Sequence, residues 1–270
     1  MACPKRKANH TSHGAKPGNV VGNFTKDMEI KEITFNSIKD FLEYLSGHND
    51  GKIRLFRGQM DDWSLDSKLL RLVKENKIID EFYKIEKRIF KKFKENYRIF
   101  YKTELNDWDL LSFGQHYGLP TRLIDWTLNP LIALWFAFEK TKNNNNDRVI
   151  FGLVIEEDSL ADFQIDELFG GRFIKIFKAT PFDNRVINQE SWFSIQAPQI
   201  FGKGGDGLPH INVYNSLNED ENFEYYLIKF RFKNSLRREI IEEIDKNGIN
   251  GMKVYPDLTG LCKMIEMNEI

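Results

Sequence analysis

Apolar side chains recur every three or four residues between positions 78 and 100, and this spacing constrains the fold more than any other feature. The repeating positions are Ile78, Phe82, Ile85, Ile89, Phe93, Tyr97 and Phe100. An apolar residue at every third or fourth position forms one stripe along an α-helix, because the helix has about 3.6 residues per turn. The pattern therefore predicts one long amphipathic helix over residues 68–102.

The polar face of this predicted helix is rich in charge. From Lys74 to Lys102 the chain carries ten basic and five acidic residues. A surface that faces RNA is one interpretation of this excess. Mixed charge on the polar face of an amphipathic helix is more often a solvated surface, and that is the interpretation that the sequence alone favours.

The remaining patterns place helices mainly in the first half of the chain and strands mainly in the second half. Further helices are predicted from the cap at Ser37 to Gly47, and over 110–117, 130–138, 158–169 and 235–246. Strands are predicted over 53–58, 148–155, 172–179, 185–194 and 225–232, which are rich in β-branched and aromatic residues. Strands and helices do not alternate regularly, so we expect an α+β fold with a mostly antiparallel sheet.

Composition excludes several classes of protein. The chain has 39 basic and 40 acidic residues and a net charge of −1, so only a local patch could attract nucleic acid. The longest apolar run, 131–138, is too short for a transmembrane helix, which needs about 20 residues. With two cysteines and no charged-then-apolar leader, we expect a cytoplasmic protein that does not associate with a membrane.

The chain divides at about residue 30. Residues 1–29 combine lysine and arginine with glycine, proline and asparagine, and nearly all of this segment lacks acidic residues. We expect a flexible basic arm there, either solvated or in contact with nucleic acid. Residues 30–270 are predicted to form a single domain.

Familiar catalytic motifs are absent or out of context. Gly202–Gly207 matches the glycine spacing of a dinucleotide-binding turn, but Pro209 follows and no helical pattern continues, so a flexible loop is predicted. The sequence has no phosphate-binding P-loop and no nucleophile elbow. Its five histidines are scattered, so no metal site is predicted.

Three polar clusters lie inside otherwise apolar segments, at residues 56–59, 115–127 and 185–193. Polar groups in such surroundings must be hydrogen-bonded or ion-paired. One interpretation is structural, with Arg57 or Arg122 paired to Asp125 to hold the fold together. The other interpretation is a ligand site.

At these clusters the sequence resembles the FRG domain of bacterial proteins, which is named for its Phe-Arg-Gly tripeptide. The similarity extends over nearly the whole chain past residue 30. The matching residues are Phe56-Arg57-Gly58, Gln115 through Leu123, Asp125-Trp126-Thr127, Pro130, Phe136-Ala137, Arg185, Gln189, Phe193 and Tyr255 through Leu258. The layout is in turn similar to that of the ADP-ribosyltransferase fold, in which a strand-borne Arg or His precedes a Gly, a hydroxyl precedes a helix and a late strand carries Glu or Gln.

The resemblance implies NAD as co-substrate and assigns roles to the clusters. Arg57 would hold the pyrophosphate or a ribose hydroxyl, and Gly58 would let the backbone approach the nicotinamide. Gln189 would take the late-strand position and act with Arg57 in catalysis. Residues implied in cofactor binding besides Arg57 and Gly58 are Tyr117 or Trp126 as stacking rings, Thr121 or Thr127 as ribose ligands, and Arg122 and Asp125.

Several functions remain open because residue 189 is a glutamine and not a glutamate. A neutral amide can orient a hydroxyl, but it cannot stabilise a cation as a carboxylate does. The first hypothesis is an ADP-ribosyltransferase-like toxin or defence effector that acts on protein or nucleic acid. The second is a non-catalytic module that binds nucleotides or nucleic acid, and the third is a purely structural network. A hydrolase with His116 as base is a fourth, although no nucleophile partner is recognisable in the sequence.

Overall fold

The computed structural model describes most of the chain from residue 30 onward. The described residues are 30–48, 52–140, 146–155, 160–169, 174–196, 199–203, 209–213, 216–217 and 226–269. The predicted basic arm at 1–29 and the centre of the predicted glycine-rich loop, 204–208, lie outside these residues. The division of the chain at residue 30 stays a prediction.

A seven-stranded sheet organises the described residues. In chain order the strands are β1 (Lys31–Phe35), β2 (Ile53–Gln59), β3 (Leu123–Thr127), β4 (Arg148–Ile155), β5 (Lys175–Phe177), β6 (Ser191–Ile195), β7 (Gln199–Lys203), β8 (Pro209–Val213) and β9 (Tyr226–Phe232). Their order across the sheet is β1-β9-β4-β2-β3-β6-β5, while β7 and β8 pair separately. Only the β1–β9 pairing is parallel in this sheet, which confirms the mostly antiparallel α+β fold.

Helices connect the strands and pack against the sheet. They are α1 (Ile38–Gly47), α2 (Lys68–Glu75), α3 (Phe82–Asn96), α4 (Asp107–His116), α5 (Pro130–Phe138), α6 (Asn184–Asn188), α7 (Arg237–Lys246), α8 (Gly251–Val254) and α9 (Leu258–Glu269). Side chains of α1, α5 and α7 share one hydrophobic cluster with Ile150 and Phe230 of the sheet. On β4 the neighbouring residues Val149 and Phe151 belong to a second cluster. Alternate residues of a strand point to opposite faces, so β4 is buried on both sides.

The sheet opens between β2 and β3. These two strands pair only at Phe56 and Thr127, whereas β2 pairs with β4 along its whole length and β3 pairs with β6 along all five of its residues. Beyond this single pair the facing edges of β2 and β3 separate. A gap inside a sheet leaves backbone polar groups without strand partners, so side chains or ligands must satisfy them.

Three predicted elements differ from the structure. The predicted helix 68–102 is divided, because Lys77 takes a positive φ of 57° after α2 has ended at Asn76. The described part of the predicted helix 158–169 contains an isolated β-bridge and turns. The predicted strand 185–194 is the short helix α6 followed by β6.

Local capping explains the last of these differences. The carboxylate of Asp183 accepts a hydrogen bond from the backbone N–H of Arg185 at 2.6 Å, which satisfies a free donor at the start of α6. Glu190 then takes a positive φ of 48°, and β6 begins at the next residue. The cap at Asp183 therefore outweighs the preference of the β-branched residues for a strand.

Over the described ranges, no helix is both long enough and apolar enough to cross a membrane.

Candidate functional site

A cleft of about 330 Å³ lies at the gap between β2 and β3. Strands β2, β3 and β6 form its floor, and helices α4, α5 and α6 contribute to its walls. Its lining residues are Phe56, Arg57, Gly58, Ser112, Gln115, His116, Asp125, Trp126, Thr127, Phe136, Phe182, Arg185, Val186, Gln189, Ser191 and Phe193. All three polar clusters of the sequence therefore contribute to one cavity.

Arg57 bridges the open part of the sheet. Its Nη1 donates a hydrogen bond of 2.9 Å to the backbone carbonyl of Asp125 and lies 3.8 Å from Oδ2 of the same residue. Burial lowers the pKa of the guanidinium, and the charge of Asp125 opposes this shift. The side chain is 24% exposed, and its buried Nε has no hydrogen-bond partner among the described residues. Arg57 thus supports the strand edge, and part of its guanidinium remains exposed at the cleft.

Asp125 is held by a chain of side-chain hydrogen bonds. Its Oδ1 accepts from Nε2 of Gln115 at 2.6 Å, and Oε1 of Gln115 accepts from the hydroxyl of Thr121. Thr121 is buried and does not line the cleft, so it acts through Gln115. Among the described residues that line the cleft, Asp125 carries the only carboxylate.

Arg185 supplies a second guanidinium. It projects from α6 into the lining of the cleft, and its Cζ lies 4.1 Å from the ring centroid of Tyr255. A guanidinium over an aromatic face is held by a cation–π contact. The cleft therefore contains two arginines and one carboxylate, a balance that suits an anionic ligand.

Gln189 is placed differently from the prediction. It follows α6 as its C-terminal cap, and its Nε2 donates a hydrogen bond of 3.1 Å to the backbone carbonyl of Val254. It lines the cleft, but this bond ties its amide to the end of α8. The carboxylate of Glu190 accepts from Asn129, which caps α5, and Glu190 does not line the cleft.

The predicted stacking rings and hydroxyls divide into two groups. Trp126 and Thr127 are among the residues that line the cleft. Nε1 of Trp126 donates a hydrogen bond to Ser194, and Oγ1 of Thr127 accepts one from the backbone N–H of Asn129. Tyr117 is exposed and lies outside the lining. The apolar walls come instead from rings that the sequence did not single out for binding: Phe56, Phe136, Phe182 and Phe193.

Comparison with known proteins identifies the segment that carries the first two clusters. Residues 52–146 match the family model of the FRG domain. The chain contains an FRG domain. The match ends before the third cluster, at 185–193, so the wider extent of the similarity stays a prediction. No curated protein and no solved structure matches the chain.

The glycine of the FRG tripeptide has a packing role. A Cβ atom at Gly58 would lie 1.8 Å from the backbone carbonyl oxygen of Ala133 in α5. Only a residue without a side chain lets α5 approach β2 this closely. Contact between a helix and a strand therefore gives one reason for Gly58, which also lines the cleft, and its predicted close approach to nicotinamide stays a prediction.

Arg122, predicted as a ligand of the cofactor, lies elsewhere in the FRG domain. It is 2% exposed, its Nε lies 3.0 Å from Oε1 of Glu86, and it also donates to the backbone carbonyls of Leu168 and Gln196. It does not line the cleft. A buried guanidinium needs a carboxylate and several acceptors, and Arg122 has both within the protein.

His116 lines the cleft beside the third cluster. Its Nε2 lies 3.8 Å from Oδ2 of Asp183. Burial lowers the pKa of His116 below its usual range, although Asp183 opposes the shift, so the ring is neutral at pH 7. With Ser112 and Gln115 it occupies one face of α4, a spacing of three and four residues that is visible in the sequence.

The residues of the cleft fit an anionic organic ligand better than a metal. The guanidinium groups of Arg57 and Arg185 both line the cleft and are suited to phosphate oxygens, because such groups donate several hydrogen bonds in a fixed plane. In the described part of the chain, no three His, Cys, Asp or Glu side chains are grouped as metal ligands.

Proposed function

We propose that the cleft of the FRG domain binds NAD and that the domain transfers ADP-ribose to a macromolecule. The observation that carries this proposal is the cluster of two arginines, one carboxylate and aromatic rings at the opening of the sheet. Arg57 and Arg185 would hold the pyrophosphate, and the phenylalanine rings of the lining would contact the nicotinamide.

The size of the cleft fits a part of NAD. Ligand pockets measure about 300–1,000 Å³, and 330 Å³ is at the lower end of this range. We infer that the reacting nicotinamide riboside half enters the cleft, while the adenosine half remains at its mouth. The similarity to the ADP-ribosyltransferase layout that the sequence suggested is consistent with this arrangement.

The chemistry assigns a role to each polar group of the cleft. The bond between C1′ of the ribose and the nicotinamide nitrogen breaks, and the electron pair leaves with nicotinamide. Positive charge develops on the ribose, as in other glycosidic cleavages, and the carboxylate of Asp125 would stabilise it. The acceptor then bonds to C1′ through its own lone pair and gives up its proton, for which the neutral ring of His116 is a base within the cleft.

Binding of NAD is the first measurement. Isothermal titration should detect NAD binding to the wild-type chain, and Arg57→Ala should weaken it at least tenfold, because a hydrogen bond to a charged group contributes about 1.5–3 kcal/mol. Arg54→Ala is the matched control, since Arg54 lies on the same strand outside the cleft. Equal affinity of the wild-type and Arg57→Ala chains for NAD would contradict the proposal.

A non-catalytic nucleotide-binding module is the second candidate. The hydrogen bond from Gln189 to Val254 favours it, because an amide engaged with the protein backbone is not free to orient an acceptor. Release of nicotinamide from NAD in the presence of candidate protein and nucleic-acid acceptors separates the two functions. Saturable binding without nicotinamide release would support the module, and release that is lost in Asp125→Asn would support the enzyme. As an enzyme the domain would act in the cytoplasm as a toxin or defence effector.

A further inference from the structure

The exposed face of α3 carries an unusual concentration of positive charge. Its exposed basic residues are Lys84, Lys87, Arg88, Lys91, Lys92 and Lys94. Glu95 is the only exposed acidic residue of this helix, because Glu86 is buried against Arg122. The whole chain has a net charge of −1, so this face departs strongly from the rest of the molecule.

Among the residues that the structure describes, two of these six cations form a salt bridge and a third lies over an aromatic ring. Lys91 pairs with Glu95 at 3.9 Å and Lys94 pairs with Asp107 at 2.5 Å. Lys87 lies over the ring of Tyr83. In the parts of the chain that the structure describes, Lys84, Arg88 and Lys92 form no salt bridge. We call these three residues the α3 stripe.

The α3 stripe is unfavourable for the helix itself. Its members follow one another at intervals of four residues, and like charges at this interval destabilise a helix. Helix α7 shows the alternative in the same molecule, since Arg238 pairs with Glu242 and Lys246 pairs with Glu243. A solvated helix face needs no such excess of one sign, so the stripe requires another explanation.

We propose that the α3 stripe binds the phosphate backbone of nucleic acid without reading the bases. The inference rests on α3 alone and does not depend on the proposed chemistry of the cleft. With a rise of about 1.5 Å per residue, the three cations lie about 6 Å apart along the helix axis, so they can contact separate phosphates of one strand. Contacts to phosphate supply affinity and register but carry no direct sequence information.

A membrane surface fits this face less well than nucleic acid does. A helix that lies on a membrane places its apolar side in the lipid, but the apolar side of α3 is buried in the protein through Phe82, Ile85 and Phe90. Ile99 and Phe100, which follow the end of α3, are two exposed apolar side chains. Two such side chains do not make the continuous apolar face that a membrane-bound helix inserts.

The test is the salt dependence of binding to a short labelled DNA duplex. The full chain should bind the duplex, and the combined variant Lys84→Gln, Arg88→Gln, Lys92→Gln should bind it at least about tenfold more weakly. The slope of log K against log salt concentration should become shallower by about 2.7, because each lost phosphate contact contributes about 0.9. Exposed substitutions of this kind leave stability nearly unchanged, and circular dichroism checks the fold of each variant.

A matched variant removes the same charge elsewhere. Arg238→Gln, Lys246→Gln, Lys253→Gln changes three exposed cations in and beside α7, and it should leave the affinity and the salt slope close to those of the wild type. All chains keep residues 1–29, so any contribution of the basic arm is constant. Equal weakening in both triple variants, or no weakening in the α3 variant, would overturn the proposal. Binding through the stripe to phosphatidylserine vesicles but not to the duplex would also overturn it.

Discussion

Arg57 and Arg122 look alike in the sequence and have opposite environments in the structure. Both lie in polar clusters next to apolar segments, and both were predicted to bind a cofactor. Arg57 lines the cleft and is 24% exposed, whereas Arg122 is 2% exposed, lies outside the lining of the cleft and contacts Glu86 and two backbone carbonyls. The difference lies in their neighbours, since a guanidinium that is enclosed within the protein cannot be reached by a ligand.

The partner of each arginine explains this contrast. Glu86 projects from the buried side of α3, so its charge must be balanced within the core. Asp125 faces the cleft and shares its carboxylate with Gln115, so Arg57 is balanced only in part. If this interpretation is correct, Arg122 determines stability and Arg57 determines binding.

Removal of the buried guanidinium of Arg122 should have the largest effect on stability. Arg122→Met leaves the carboxylate of Glu86 buried without its cation, and breaking a buried ion pair in this way costs about 3–5 kcal/mol. We expect a loss of this size in the free energy of unfolding, measured by urea denaturation. The double variant Arg122→Met, Glu86→Leu should recover most of the loss, because a buried ion pair can be replaced by apolar residues with little penalty. A small loss of unfolding free energy in Arg122→Met would mean that Arg122 contributes no more to stability than Arg57 does.

The signal for this buried pair was present in the sequence. Glu86 falls among Phe82, Ile85, Ile89 and Phe93, on the stripe that the helical period assigns to the core. A carboxylate on a core-facing stripe requires a buried cation, and Arg122 is a cation in an apolar segment. The pairing itself could not be predicted, because the two residues are far apart in sequence and only the tertiary packing of α3 brings them together.

The titration of Glu86 should have an effect of intermediate size on the free energy of unfolding. Burial raises its pKa to about 6 from a usual value of 4.5, although the charge of Arg122 opposes the shift. Between these two values the folded protein binds a proton that the unfolded chain has released, so stability falls as the pH rises. The contribution of Glu86 to the free energy of unfolding is complete below about pH 4.5 and is lost by about pH 6. The free energy of unfolding should change by about 2 kcal/mol over this interval.

Comparison with a neutral variant isolates this titration. The exposed carboxyl of Asp62 has a lowered pKa through its pairing with Lys229 and Arg231, so it gives stability a dependence on pH of the opposite sign. The variant Glu86→Gln lacks only the contribution that the titration of Glu86 makes to the pH dependence of stability. The free energy of unfolding of the wild type, minus that of Glu86→Gln, should therefore fall by about 2 kcal/mol between pH 4.5 and pH 6.5. A difference that does not change with pH would contradict the raised pKa.

The sheet and the helices around the cleft were predictable to different degrees. Strands such as β2, β4 and β9 were predicted within one or two residues, because their β-branched and aromatic runs end at turns or glycines. The opening between β2 and β3 was not predictable, since register between distant strands leaves no local signal. The role of Gly58 was missed for the same reason: its neighbour Ala133 is a tertiary contact. Arg185 belongs to the pattern that resembles the FRG domain, but the strand predicted over 185–194 concealed its place in the wall of the cleft.

Removal of the guanidinium in the cleft should have the smallest effect on stability. Arg57→Ala deletes one hydrogen bond to the carbonyl of Asp125 and a weak, half-exposed ion pair, so we expect a loss of about 1 kcal/mol. Urea denaturation at pH 7 measures it against Arg122→Met under the same conditions. A loss as large as that of Arg122→Met would mean that Arg57 also belongs to the structural network, and the unpartnered Nε would then be a packing defect. A small loss accompanied by loss of NAD binding would separate the two arginines by function, because the same kind of side chain would stabilise the fold at one position and bind the ligand at the other.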